Sequence, residues 1–331
     1  MVQIFSTCKK MQLVIERHIK DLQRKDIYLD EKNIDDIYNF CKKYIKHVKG
    51  KLAKKPYILE PFQLFIIGSI FGWKKKEDDS RRYTKSFIFL ARGNAKTDLA
   101  AISALYEYYK SEKIGQEIIM LATTKEQAAI CFKRAADMIA FNVTLDKYSK
   151  TSKARHYNYK EKGKSTGEMR ALASESNTLD GLRVTFGILD EIHAYKDRNL
   201  FDVIKSSQIT TNNTHLMMIT TAGFLTTGFC MDEYNYATKI LEEKIVADEE
   251  FIYIAELDSL KEWQKPEKYI KANPNLGKSV ILEKLIQDKE KAMVDTESKK
   301  SFLVKNCNIF LHASSSHFDF QTFKENNGTF G

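Results

Sequence analysis

The feature that most constrains this chain is an alternation. Between residues 86 and 257, short apolar runs are separated by stretches with helical spacing. The runs are SFIFLA (86–91), EIIMLAT (117–123), MRALA (169–173), TFGILD (185–190), HLMMITT (215–221) and FIYIAEL (251–257). Brief apolar runs bounded by polar residues read as buried strands. Residues 98–109 and 125–140, which follow the first two runs, read as helices. Parallel strands need a crossover between them, usually a helix, so this order predicts a mostly parallel α/β sheet.

The flanks have a different texture. MQLVIERHIKDLQ and IDDIYNFCKKYIKHV place apolar residues three and four apart, which predicts two helices near the N-terminus. Pro61 suits the first turn of a third helix running to about Phe71. Beyond residue 258, LEKLIQDKEKAM is helical again. The expected division is an N-terminal helical segment (1–50), an α/β core (51–257) and a helical lid or linker (258–331). Residues 147–170 are basic and weakly periodic, and read as a loop or a hairpin excursion.

Two phosphate-loop candidates compete. LARGNAKT (90–97) ends in Lys-Thr but has Leu90 and Ala95 where the usual pattern has glycine; ANPNLGKS (272–279) keeps Gly-Lys-Ser. A phosphate loop works because backbone N–H groups and a helix N-terminus face the anion, while the Lys reaches the phosphates and the hydroxyl reaches Mg²⁺. The test is a buried strand before it and a helix after it. The first candidate passes: SFIFL precedes it and DLAAISALYEYY follows. The second fails, because the polar KPEKYIKA precedes it and Pro274 interrupts it. Lys96 and Thr97 therefore carry the expectation, with Gly93 as the one loop glycine and Ala95 at a steric disadvantage wherever positive φ is needed.

A nucleotide-hydrolysing site also needs carboxylates at a strand end. VTFGILDEIHAY (184–195) supplies Asp190 for Mg²⁺ and Glu191 for the attacking water, against the alternative of an ordinary surface pair. Thr220 and Thr221 close the next strand and are candidates for sensing the γ-phosphate; two strand threonines favoured by β-propensity are the plainer reading. Gln63 has an amide that can pair with an adenine edge, although an exposed helix glutamine is the commoner case. The seven histidines show no H-x-x-x-H spacing, so no zinc site is expected, and His193 stands at most behind the carboxylates.

Taken in order, EPFQLFIIGSIFGW, LARGNAKT, LDGLRVTFGILDEIHAY, MMITTAG, ANPNLGKS and FLVKNCNIF resemble the large terminase subunit of tailed bacteriophages, over about residues 57–312. The resemblance implies a RecA-like, ASCE-type P-loop ATPase with N-terminal helices and a C-terminal helical lid or linker. It implies an ATP- and Mg²⁺-dependent motor that moves double-stranded DNA into a capsid. By the same resemblance Gln63 contacts adenine, and Arg92, Gly93, Asn94, Ala95, Lys96 and Thr97 hold the phosphates. Arg92 stabilises transition-state charge, Thr97 and Asp190 hold Mg²⁺, Glu191 is the catalytic carboxylate, and Thr220 and Thr221 couple hydrolysis to movement. The implied partners are portal protein and small terminase subunit, in a homo-oligomeric ring that is a monomer when isolated, in the host cytoplasm. Ala95 departs from the family glycine. No carboxylate cluster accompanies Asp319 near the end of the sequence, so the expectation is a chain without the nuclease domain and without nuclease activity.

The formal charge of +9 fits a polyanionic partner. Candidate DNA contacts are Lys153, Arg155, Lys160, Lys162 and Lys164 in the basic excursion, with Lys74–Lys76, Arg81 and Arg82 upstream. Arg183 is a candidate for acting on a neighbour's nucleotide. The five cysteines are single and unpaired in spacing, as in reduced core thiols, and no apolar run is long enough to span a membrane. Two rival readings remain: a helicase-like nucleic-acid ATPase, and a degenerate subunit that binds DNA or portal without hydrolysis.

Overall fold

The computed structural model describes residues 7–111, 113–154, 156–173, 181–224 and 227–311. Three helices come first: α1 (Lys9–Asp21), α2 (Glu31–Tyr44) and α3 (Pro61–Gly72). Asp30 caps α2 by accepting from the Asn33 N–H at 3.1 Å. Pro61 opens α3, where its missing N–H costs nothing. Strands β1 (Ile27–Leu29) and β2 (Trp73–Lys75) form a small antiparallel ribbon between these helices, which the sequence reading did not anticipate.

The core alternates as expected: β3 (Lys85–Phe89), α4 (Lys96–Lys110), β4 (Gln116–Ala122), α5 (Lys125–Ala140) and the short α6 (Val143–Lys147). Then follow β5 (Ser149–Ser152), β6 (Tyr157–Lys162), β7 (Ser165–Ala173), β8 (Phe186–Asp190), α7 (Asn199–Ser207), β9 (His215–Thr220), α8 (Phe229–Leu241) and β10 (Glu250–Ile254). Helices α9 (Leu282–Val294) and α10 (Thr296–Lys305) close the described chain.

One sheet runs in the order β10-β3-β9-β8-β4-β7-β6-β5. From β10 to β7 every pairing is parallel; β6 and β5 add antiparallel. Every residue of β3, β8, β9 and β10 is buried, as expected of parallel strands covered on both faces. The excursion at 147–170 is thus a meander that widens the sheet. β7 alternates buried and half-buried residues, and exposure grows outward through β6 to β5, which suits an edge with one wet face.

That meander corrects one expectation. Lys160 points inward and is 0% exposed, so it is not a DNA contact. Its Nζ donates to Gln116 Oε1 at 2.8 Å, to Ser165 Oγ at 2.7 Å and to the Tyr108 carbonyl. Burial, with Lys162 nearby, pulls its ammonium down to about 8. Lys153, Lys162 and Lys164 are exposed, and Arg155 lies outside the described residues. Arg82 is withdrawn for the same reason: it is buried between Asp21 (2.8 Å) and Asp248 (2.7 Å), under the rings of Trp73 and Tyr83. Arg81 is tied to Glu107 at 2.6 Å and Lys74 to Asp30 at 2.7 Å. These cations hold the N-terminal helices and ribbon onto the core.

Candidate nucleotide site

In a parallel sheet the loops that leave the C-terminal strand ends form the crevice where ligands bind. Here β3 leads into residues 90–97, β8 ends at Asp190 and β9 ends at Thr220. Because β9 lies between β3 and β8, the threonines stand between the loop and the carboxylates. The three sequence motifs therefore meet at one edge.

The loop makes its turn with two left-handed residues, Gly93 (φ +88°) and Ala95 (φ +57°). Ala95 accepts this conformation at a steric cost that glycine would not bear, and α4 begins at the next residue. The first N–H groups of α4 have no partner inside the helix and carry the positive end of its dipole. Lys96 sits in that positive field, 8% exposed. Its Nζ donates to the Leu90 carbonyl at 3.1 Å and to Thr221 Oγ1. Burial lowers its pKa, while Glu191 and Asp190 pull the other way.

Burial first, then the adjacent Glu191 charge, pushes the Asp190 carboxyl up to about 7. Glu191 is in a left-handed conformation (φ +52°), anchored by its N–H to the Ile219 carbonyl at 2.9 Å. Burial would raise its pKa, but His193, Lys96 and Arg92 outweigh that and leave it lowered. His193 Nδ1 stands 3.0 Å from Thr220 Oγ1 and 3.1 Å from Glu191 Oε2. The angle suits the threonine, and Glu191 Oε2 is buried without a well-directed donor. A buried carboxylate oxygen faced only by His193, beside a buried acid and a helix N-terminus, fits Mg²⁺, a nucleotide and a bound water. Thr97, half-buried at the helix start, fits the same group. Among the described residues no group of three or more His, Cys, Asp or Glu stands ready to hold a metal unaided. A nucleotide site does not need one, because the phosphates supply part of the coordination.

Other residues fall differently. Arg92 is exposed on the loop and forms no ion pair among the described residues. Gln63 is 1% exposed, and its amide is already engaged. Its Oε1 accepts from the Glu60 N–H at 3.0 Å and its Nε2 donates to Tyr57 Oη at 3.1 Å. In this structure Gln63 caps α3 and is not turned to a base edge. Arg183 is exposed before β8, at the sheet end opposite the carboxylates, so it lies apart from this chain's own site. The rejected segment ANPNLGKS packs against the loop, a contact that spacing did not reveal: Asn94 Nδ2 donates to Asn273 Oδ1 at 3.0 Å. A cleft of about 520 Å³ between α1 and residues 240–248 lies at the far end of β10 from this site. Its Arg24 and Arg82 are paired with Asp21 and Asp248.

Sheet order, loop placement and the covering helices define a RecA-like, ASCE-type P-loop fold. The sequence model described as "Terminase large subunit, ATPase domain" matches residues 61–239, and the chain belongs to that family. The large terminase subunit of Enterobacteria phage HK97 is 27% identical over 247 residues, covering 72% of this chain and 45% of that protein. Protein YmfN of Escherichia coli K12 is 29% identical over 140 residues, covering 42% of this chain and 31% of that protein. The crystal structure of the HK97 large terminase aligns with a TM-score of 0.72 at 22% identity, covering 84% of this chain and 55% of that one. The chain thus spans less than half the length of the curated relatives it matches.

A second model, "Terminase large subunit, endonuclease domain", matches residues 244–326. This corrects the expectation of a chain with no nuclease portion. The match takes in β10, which pairs in parallel with β3 as the edge of the central sheet. No helix among the described residues is long and apolar enough to cross a membrane.

Proposed function

We propose that this chain is the ATP-hydrolysing part of a phage DNA-packaging motor, turning over Mg-ATP to move double-stranded DNA. The observation that carries the reading is the convergence of Lys96, Thr221, Asp190 and Glu191 at adjacent strand ends. Family membership supports the same conclusion.

In this reading the N-terminus of α4 and Lys96 bind the phosphates. Lys96 exchanges its contacts with Leu90 and Thr221 for the anion. Thr97 and Asp190 would hold Mg²⁺, which would supply charge neutralisation on the phosphates. Glu191 orients a water and takes its proton as oxygen bonds to the γ-phosphorus, the bond to the bridging oxygen breaks, and ADP leaves with the electron pair. Arg92, free at the rim, balances the charge that develops. Thr221 loses its lysine partner when the anion binds, and Thr220 shares His193 with Glu191, so both threonines register the state of the site.

Lys153, Lys162 and Lys164 on the meander form a sequence-blind DNA contact. Arg183 completes the site of a neighbouring copy in a ring. Portal protein and small terminase subunit are the partners, and the host cytoplasm is where packaging takes place. The family match disfavours the helicase-like alternative, and the intact Asp190–Glu191 pair disfavours the non-hydrolysing one. The test is Mg-ATP turnover by the purified chain with and without linear duplex DNA. Turnover stimulated by the duplex is expected. ATP binding without turnover under either condition would return the non-hydrolysing subunit.

A further inference from the structure

The turn at 273–280 holds the phosphate loop at Gly93 and Asn94. Ser279 Oγ donates to the Gly93 carbonyl at 2.5 Å, and Asn275 Nδ2 donates to that Ser279 oxygen at 2.6 Å. The Asn275 N–H donates to Asn94 Oδ1 at 3.1 Å, while Asn94 Nδ2 donates to Asn273 Oδ1 at 3.0 Å and to the Ala91 carbonyl at 3.1 Å. Asn94 and Asn273 are fully buried. Val280 closes the contact: a Cβ on Gly93 would lie 3.3 Å from its Cγ2.

A phosphate loop needs its carbonyls turned outward so that its N–H groups face inward. The peptide is planar and trans, so fixing the Gly93 carbonyl on Ser279 points the Asn94 N–H the opposite way. Loops rich in glycine reach this arrangement by their own freedom; here Ala95 holds the second left-handed position under strain. The restraint must therefore come from outside the loop. The turn is itself held by internal bonds, Leu276 N–H to the Asn273 carbonyl at 2.9 Å and Gly277 N–H to the Val280 carbonyl at 2.8 Å, so it can serve as a fixed support. The loop lies within residues matched by the ATPase-domain model, and the turn within those matched by the endonuclease-domain model.

We propose that Asn273, Asn275 and Ser279 are positioning residues for nucleotide binding. They form an external brace that does for this loop what the missing glycines do elsewhere, so that the second matched region sets the nucleotide affinity of the first. The inference rests on the ATP-binding reading above.

The test measures KM and kcat for Mg-ATP, and the melting temperature, in wild type, Ser279→Ala, Ser279→Thr and Asn275→Ala. Ser279 is exposed and its replacement by Ala removes one hydroxyl, so melting within about 2 °C of wild type is expected. Loss of one such bond predicts a KM raised about three- to tenfold, with kcat within about twofold. Thr at 279 restores KM, and Asn275→Ala raises it further. Unchanged KM in both Ser279→Ala and Asn275→Ala, or a rise that Thr does not reverse, would overturn the brace. A wild type that binds no ATP would sink the reading of the site itself, and the brace with it.

Discussion

Helix α4 has a buried lysine at each end, and the two are built for opposite purposes. Lys160 reaches the C-terminal end, where it donates to the Tyr108 carbonyl and to two side-chain oxygens. A cation there complements the helix dipole and satisfies a carbonyl the helix leaves open. Lys96 lies at the N-terminal end, where its charge opposes the dipole and only a carbonyl or two and one hydroxyl receive it. Burial disfavours the charge on both. The first lysine completes the fold. The second is tolerated at a cost that an incoming polyanion removes. Burial alone does not mark a functional lysine; its place relative to the helix field does.

Replacing both lysines tests this contrast most severely. Lys96→Ala is expected to lower ATP turnover by at least about a hundredfold, as for removal of one preorganised charge donor. The same change should leave thermal stability within about 1 kcal/mol of wild type, because relief of a buried cation opposed by the helix dipole is offset by the loss of its attraction to Glu191 and Asp190. Lys160→Ala should do the reverse, with stability lowered by about 2 kcal/mol through unpaired buried acceptors and KM for ATP unchanged. Denaturant melts and steady-state kinetics on the two variants check both statements. A Lys96→Ala chain that unfolds, or a Lys160→Ala chain with altered KM, would erase the distinction.

The contrast also predicts a pH signature. The Lys160 ammonium titrates near 8 folded, against 10.5 for an ordinary lysine. Between those values the unfolded chain binds the extra proton. This group's contribution to stability therefore rises as pH climbs from about 8 to 10.5, and Lys160→Met removes that slope. Stability measured at pH 7.5, 9 and 10 in both proteins reads it directly.

The exposed lysines of the same meander should behave as neither kind. Neutralising Lys153, Lys162 and Lys164 together should reduce the log–log salt slope of duplex binding by about 2 to 3, with little change in melting. An unchanged slope would remove the meander from the DNA path. The smallest effect is expected at Ala95→Gly. Relief of the left-handed strain, offset by the greater freedom of the unfolded chain, should shift stability by less than about 1 kcal/mol and keep turnover.

Much of this was legible in the sequence, and the rest was hidden for identifiable reasons. The parallel core was readable because β3, β8, β9 and β10 are buried throughout and so leave continuous apolar runs. The strand-loop-helix that carries LARGNAKT was readable from context although two of the motif's glycine positions are replaced. Residues 149–173 were readable only in part, MRALA as a strand and the rest as a loop or a hairpin excursion, because an edge with one wet face carries many charges. Lys160, Lys162 and Lys164 look alike as letters, but Lys160 is covered within β6, whereas Lys162 is its last residue and Lys164 lies in the turn beyond it. Gln63 was legible as a polar residue near a helix start, but whether its amide faced a base or capped α3 depended on Tyr57 and Glu60. The brace at 273–280 lies about 180 residues from the loop it holds, and no local pattern predicts such a contact.

In the proposed reading Glu191 activates water in a site where Lys96 helps to bind the nucleotide. The most direct measurement is Mg-ATP binding and hydrolysis by Glu191→Gln beside wild type. The account predicts ATP affinity within about threefold of wild type and turnover lower by at least about a hundredfold, since the amide cannot take the proton. Turnover that survives in Glu191→Gln would contradict it and place the catalytic carboxylate elsewhere.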